Sequence, residues 1–180
     1  AIASVDNPLR TEIRNLAAHS STAGIYLQNQ GAVEITELSV VVRVLSKAGE
    51  RSQDSEISER GFRSSEDGDL MLETIDGSIS ILGTSHAGPT VVTSAAGNIR
   101  IAAGGSSADL IVEDMIFSDR GQITLLAGLD VTFASSVIVG TGFQSSTVPA
   151  TISVEAIGGQ VSLHADSLLT STTGSILVEA

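Results

Sequence analysis

The chain has 180 residues, 42% of them hydrophobic, and a mean hydropathy of +0.28, so it can bury a core and is not wholly disordered. Its formal net charge of −12 argues against nucleic acid and anionic membrane surfaces as partners, because like charges repel. The absence of Cys excludes disulfides, thiolate metal sites and Cys nucleophiles. No apolar run reaches the 18 residues or so that membrane insertion by a helix requires. The first residues, Ala1 to Asp6, lack the basic start of a signal peptide, so the chain reads as an internal excerpt or a processed subunit.

From the N-terminus, Asn7 is placed as a helix cap and Pro8 as the first helical residue. Leu9, Ile13 and Leu16 follow at i, i+4 and i+7, which predicts a short helix over 8–18 inside a preface of 1–22. Gly24-Ile25-Tyr26-Leu27 and Gly31-Ala32-Val33-Glu34-Ile35 then read as strands. Glu37 to Glu50, with Val40-Val41-Val42-Arg43-Val44-Leu45 inside it, also reads as strand. Ser46 to Glu66 carries Lys47, Glu50, Arg51, Asp54, Glu56, Glu59, Arg60, Arg63 and Glu66, with only Ile57 and Phe62 as large apolar residues. That composition predicts a loop projecting over 46–66, the kind of segment in which binding specificity resides.

Residues 67–180 are more regular. A Gly, one polar residue and alternating apolar positions recur as Gly77-Ser78-Ile79-Ser80-Ile81, Gly97-Asn98-Ile99-Arg100-Ile101, Gly121-Gln122-Ile123-Thr124-Leu125, Gly159-Gln160-Val161-Ser162-Leu163 and Gly174-Ser175-Ile176-Leu177-Val178. Each is a short period-2 strand introduced by a turn. Further strands lie between them, such as Val131 to Phe133 and Ser136 to Val139, with Ala127-Gly128 at a corner. Steps of 20 from Ile79 to Ile99, 24 to Ile123, 29 to Ile152 and 24 to Ile176 suggest coils of about 20–24 residues, the excess of the longer steps being corner loops such as Gly104 to Ala108 and Gly140 to Pro149.

With aromatics at 3% and no Trp, small β-branched residues must supply the core, which suits narrow stacked coils. The predicted fold is therefore all-β, a right-handed parallel β-helix with seven or eight coils, a rod of roughly 35 Å at about 4.8 Å per coil. A β-sandwich shares the alternating strands and turn glycines but usually brings aromatic anchors and a less fixed spacing.

Three blocks carry a resemblance to the repeats of giant bacterial surface proteins of the filamentous-haemagglutinin-like adhesin type. They are Asn7 to Thr11 with Leu16 to Ala18, Ile25 to Leu27 with Val33 to Ile35, and the Gly-x-Ile-x-Leu-x-Ala units of the C-terminal half. The likeness covers most of the chain except about residues 46–65. It implies export to the cell surface, a β-helical shaft and a part in attachment, and it supplies no catalytic residues.

Residue types that could do chemistry are scattered. His19, His86 and His164 lack metal-ligand spacing, and zinc needs three or four converging ligands. There is no Gly-x-Ser-x-Gly. Asp109, Asp114, Asp119 and Arg120 come nearest to the acidic and basic face of a polysaccharide-cleaving β-helix, but read more simply as strand ends and turns. Glu66, Asp67 and Asp69, with Asp76 nearby, offer oxygen ligands for calcium, although no complete calcium loop surrounds them and a solvated acidic turn explains them as well.

The reading that results is a non-catalytic shaft segment of an extracellular adhesin, stacked end to end on neighbouring repeats or like subunits. The strand from Gly174 to Ala180 stops in mid-repeat, so another coil is expected against it. A glycan-binding module using the 46–66 loop is the second reading, and a polysaccharide-cleaving enzyme the third.

Overall fold

The computed structural model describes residues 3–45, 51–83, 92–142 and 149–180, with backbone alone at 42–45 and 51–55. These residues form a parallel β-helix. Seven strands stack in the first sheet: Leu9–Thr11, Ile25–Asn29, Leu70–Thr74, Ile99–Ala103, Ile123–Ala127, Ile152–Ala156 and Ile176–Glu179. The second sheet holds Asn15–Leu16, Val33–Ile35, Ile79–Ile81, Leu110–Val112, Val131–Phe133 and Val161–Leu163. The third holds Ala18–Ser20, Phe62–Ser64, Val92–Ser94, Ile116–Ser118, Ile138–Thr141 and Leu168–Ser171. Every pairing in these three sheets is parallel, so each turn of chain visits the three sheets once and returns one strand spacing along the axis.

Period-2 alternation determines what faces inward. On the first sheet Leu70, Ile99, Ile123 and Ile152 stand in one register column, and Leu72, Ile101, Leu125 and Val154 in the next inward one. All eight are at most 1% exposed. Phe62, Val92, Ile116 and Val139 form the matching column of the third sheet. One continuous apolar core therefore runs along the axis. No single coil could bury its own face, so the stack as a whole supplies the burial.

The core also holds a polar column. Ser64, Ser94, Ser118 and Thr141 end strands of the third sheet in register and are buried. Ser118 Oγ donates to Gly97 O (2.9 Å) and accepts the N–H of Gly121 (2.8 Å). Ser94 does the same with Gly68 O (3.0 Å) and the Gly97 N–H (2.8 Å), and Thr141 Oγ1 donates to Gly121 O (2.7 Å). Where the chain turns from the third sheet to the first, backbone groups leave the ladder inside the protein, and these hydroxyls satisfy them. Gly97 and Gly121 occupy the same corner because a Cβ there would collide with the carbonyl of the coil below.

Four expectations need correction. The N-terminal helix is absent: residues 9–20 form the first coil, with Leu9–Thr11 paired to Leu27–Asn29 and Ala18–Ser20 to Phe62–Ser64. Leu9 and Ile13 are exposed and only Leu16 is buried. A helix of about eleven residues is marginal in water, whereas the sheet edge beside it offers unpaired backbone groups. The 46–66 loop is not a loop where it is described. Arg51–Arg60 pairs antiparallel with Glu37–Leu45, and Phe62–Ser64 returns to the shaft.

The 20-residue step from Ile79 to Ile99 joined two different sheets. Along the first sheet, Leu70, Ile99, Ile123, Ile152 and Ile176 are separated by 29, 24, 29 and 24 residues. Finally, the described residues hold six full coils and the first strand of a seventh, so seven first-sheet strands span about 29 Å at 4.8 Å per step. Gly104 to Ala108 is a corner turn as expected, with Gly105 at φ +99°, and Gly128 turns the next coil. Of the Gly140 to Pro149 loop, 143–148 lie outside the described residues.

Candidate functional surfaces

The hairpin is the main departure from the shaft. It leaves the second coil after Val33–Ile35, and its base is closed by the Gly61 N–H donating to Thr36 O at 3.0 Å. Glu37 and Arg60 form an ion pair at 3.3 Å, and Arg63 on the shaft pairs with Glu59 at 2.5 Å. Partial burial works to raise the Glu59 carboxyl, but the Arg63 hydrogen bond, the Arg60 amide and the charges of Arg63 and His19 outweigh it. Its pKa therefore stands below the ordinary value. Val40 and Ile57 face each other across the two strands, each 60% exposed, and Val41 on the opposite face is 57% exposed.

The calcium candidates share one corner but are engaged elsewhere. Asp69 Oδ1 accepts both the backbone N–H of Asn98 (2.7 Å) and its side-chain amide (3.1 Å). Asp69 Oδ2 accepts the Tyr26 hydroxyl at 3.4 Å; burial first, then the Asp69 charge and this bond, raise the Tyr26 pKa. Asp67 pairs with Arg120 at 3.4 Å, and Glu66 contributes its backbone carbonyl to Ser64. Asp76 lies at a different corner, beyond the strand Leu70–Thr74. Among the described residues no three His, Asp or Glu side chains converge as a metal site would require.

Asp109, Asp114, Asp119 and Arg120 are likewise dispersed. Asp109 sits between the first and second sheets, where its carboxylate accepts the Asp130 N–H at 3.2 Å. Asp114 follows the second sheet and accepts the Met115 N–H at 2.6 Å, while Asp119 and Arg120 follow the third. They are corner residues of three different corners.

The Asp109–Asp130 bond belongs to a ladder missed in the sequence. Asp130 Oδ1 accepts the Gln160 N–H (2.8 Å), and Ser78 Oγ accepts the Asp109 N–H (3.0 Å). The signal was present: Ser78, Asp109, Asp130 and Gln160 each stand immediately before the first residue of a second-sheet strand. His19 Nε2 lies 2.6 Å from Ser65 Oγ, His164 is exposed, and His86 lies outside the described residues.

Clefts on the described residues of the shaft include two of note. One, of about 690 Å³, is lined by Glu12, Arg14, Asn15, Gln30, Glu34 and Ser80 among others. The other, of about 510 Å³, has an apolar floor of Ala102 and Leu126, the Glu73–Arg100 pair (2.8 Å) on one side and Ile157 on the other. No family model matches the chain, and neither a curated protein nor a solved structure matches it significantly.

Proposed function

We propose that this chain is a non-catalytic structural segment of an extracellular bacterial surface adhesin, a length of shaft that spaces other regions away from the cell. The observation that carries this reading is the unbroken register of inward columns through successive coils. Such a stack has the same cross-section at every level, so it can extend in steps of one coil without redesign. The partner that fits is another coil of the same kind, from a neighbouring repeat or a second subunit.

Electron microscopy of the purified chain over a concentration series, with and without calcium, tests this. Straight rods, either short or joined end to end into fibres of one coil's width, are the expected result. Globular particles, or turnover of an acidic polysaccharide by the same preparation, would overturn the reading.

A further inference from the structure

The hairpin holds a surface that axial stacking does not use. Glu37–Leu45 and Arg51–Arg60 make a sheet of their own, with no third strand among the described residues. A two-stranded sheet is marginal in water, and among the described residues no strand pairs with either of its outer edges. The two edges differ. Arg51–Arg60 contains Asp54, Glu56 and Glu59 and a single β-branched residue, Ile57, which is how natural edges are guarded. Glu37–Leu45 contains Val40, Val41, Val42 and Val44, and its described valines, Val40 and Val41, are well exposed. This is the open edge.

The open strand is complementary to itself. Aligned antiparallel about Val40, position 37 falls opposite 43, 38 opposite 42, and 39 opposite 41. That register sets Glu37 of one copy against Arg43 of the other, twice by symmetry, and fills the remaining places with Leu, Val and Ser. Opposite charges and β-branched pairs directly across an antiparallel ladder are the stabilising combinations. The pairing is isologous, so it closes at two copies.

We infer that the Glu37–Leu45 edge is a dimerisation surface, on which a second copy of this chain adds its own Glu37–Leu45 strand and completes a four-stranded sheet joining two shafts side by side. The occupant is a like strand, recognised by main-chain bonds and by the Glu37–Arg43 register. The contact is lateral and finite, so it is independent of end-to-end stacking: failure of one leaves the other standing.

The chain has no Cys, so single engineered thiols read the geometry cleanly. In the proposed dimer Val40 faces its own copy at the 4.5–5.5 Å Cα separation of antiparallel neighbours, within disulfide reach. Ile57 is equally exposed, but the two copies of it stand about 14 Å apart, three strand spacings. Under mild oxidation V40C should form a disulfide-linked dimer on a non-reducing gel and I57C should not. The wild-type chain should sediment as a concentration-dependent dimer.

R43E places like charges at both symmetry-related contacts and should lower the V40C dimer yield about tenfold. Adding E37R restores attraction across the interface, while R60E and D54R keep opposite charges in register within the hairpin. The V40C chain with E37R, R43E, D54R and R60E should regain the yield. Equal crosslinking of V40C and I57C, a monomer at every concentration, or no recovery in the charge-swapped chain would each overturn the proposal.

Discussion

The shaft and the hairpin solve the same problem, keeping strands paired in water, by opposite means. Each strand inside the shaft has a neighbour above and below and hides alternate side chains in a common core. Among the described residues the hairpin strands have one neighbour each; Val40, Val41 and Ile57 lie in solvent and Leu38 is partly buried. Shaft cohesion is thus collective and apolar. The hairpin's described connections to the shaft are local and polar: one backbone bond at its base and the Arg63–Glu59 pair. Cohesion of the shaft and the dimerisation proposed for the hairpin are thus assigned to two parts of one chain, and each should be open to disturbance with little effect on the other.

The largest separation should come from Ile123→Asp. Ile123 is fully buried between Ile99 and Ile152, and an unpaired carboxylate there costs about 3–5 kcal/mol or more, a cost that reaches the lower end of the roughly 5–15 kcal/mol that keeps a typical domain folded. Circular dichroism should show no cooperative melt, and a melt at the wild-type temperature would count against the core as described. A smaller loss is expected from Ser118→Ala. It leaves the Gly121 N–H and Gly97 carbonyl buried without their partner, at about 1–3 kcal/mol. Ser171 makes the equivalent bonds to Ala150 and Gly174 in the half-exposed last coil, so Ser171→Ala should cost clearly less. Denaturant midpoints of the two variants compare them directly, and equal losses would mean that burial does not set the value of this column.

The same contrast explains what could be read from the sequence. The coils around Ile99, Ile123 and Ile152 were legible because burial on one face imposes strict alternation, and close stacking imposes Gly at the corner. The hairpin's second strand was not: Arg51–Arg60 is polar nearly throughout, and with no buried face nothing forces a period on it. Its first strand was legible from the run of valines. The N-terminal helix was a false signal of the opposite kind, since Leu9, Ile13 and Leu16 have helical spacing but their backbone has a sheet edge to join. The hydroxyl column was written in the sequence as Ser-x-x-Gly at Ser94–Gly97, Ser118–Gly121 and Ser171–Gly174, a spacing set by an inward Ser and the turn amide it serves. The acidic residues at 66–69 and 109–120 were recognisable as turn residues, but their separate corners emerge only when the coils are closed.

If the division between shaft and hairpin holds, removing the hairpin should hardly be felt. Thr36 and Gly61 already lie within one backbone hydrogen bond, so replacing 37–60 by Gly-Gly shortens the excursion without moving its ends. The unfolding free energy of the shaft should stay within about 1 kcal/mol of wild type by denaturant titration, since surface changes rarely exceed that. A larger loss would mean that the hairpin covers part of the core.

The smallest effect concerns the tether itself. Because the Glu59 pKa is lowered in the folded chain, the unfolded hairpin binds a proton more readily than the folded one. The contribution of Glu59 is therefore fully present above its ordinary value of 4.5 and is lost as the pH falls through the lower folded value. Protonation removes the charge that Arg63 holds, and Glu59 is exposed enough for water to screen the rest, so the change should stay local. Amide resonances of Arg60 and Gly61 should shift below pH 4.5 while those of Ile99, Ile123 and Ile152 remain unchanged, and Glu59→Gln should abolish the shift. If the core amides moved together with Arg60, or if Glu59→Gln left the titration intact, the hairpin and the shaft would be one cooperative unit, and the polar tether would not be what separates them.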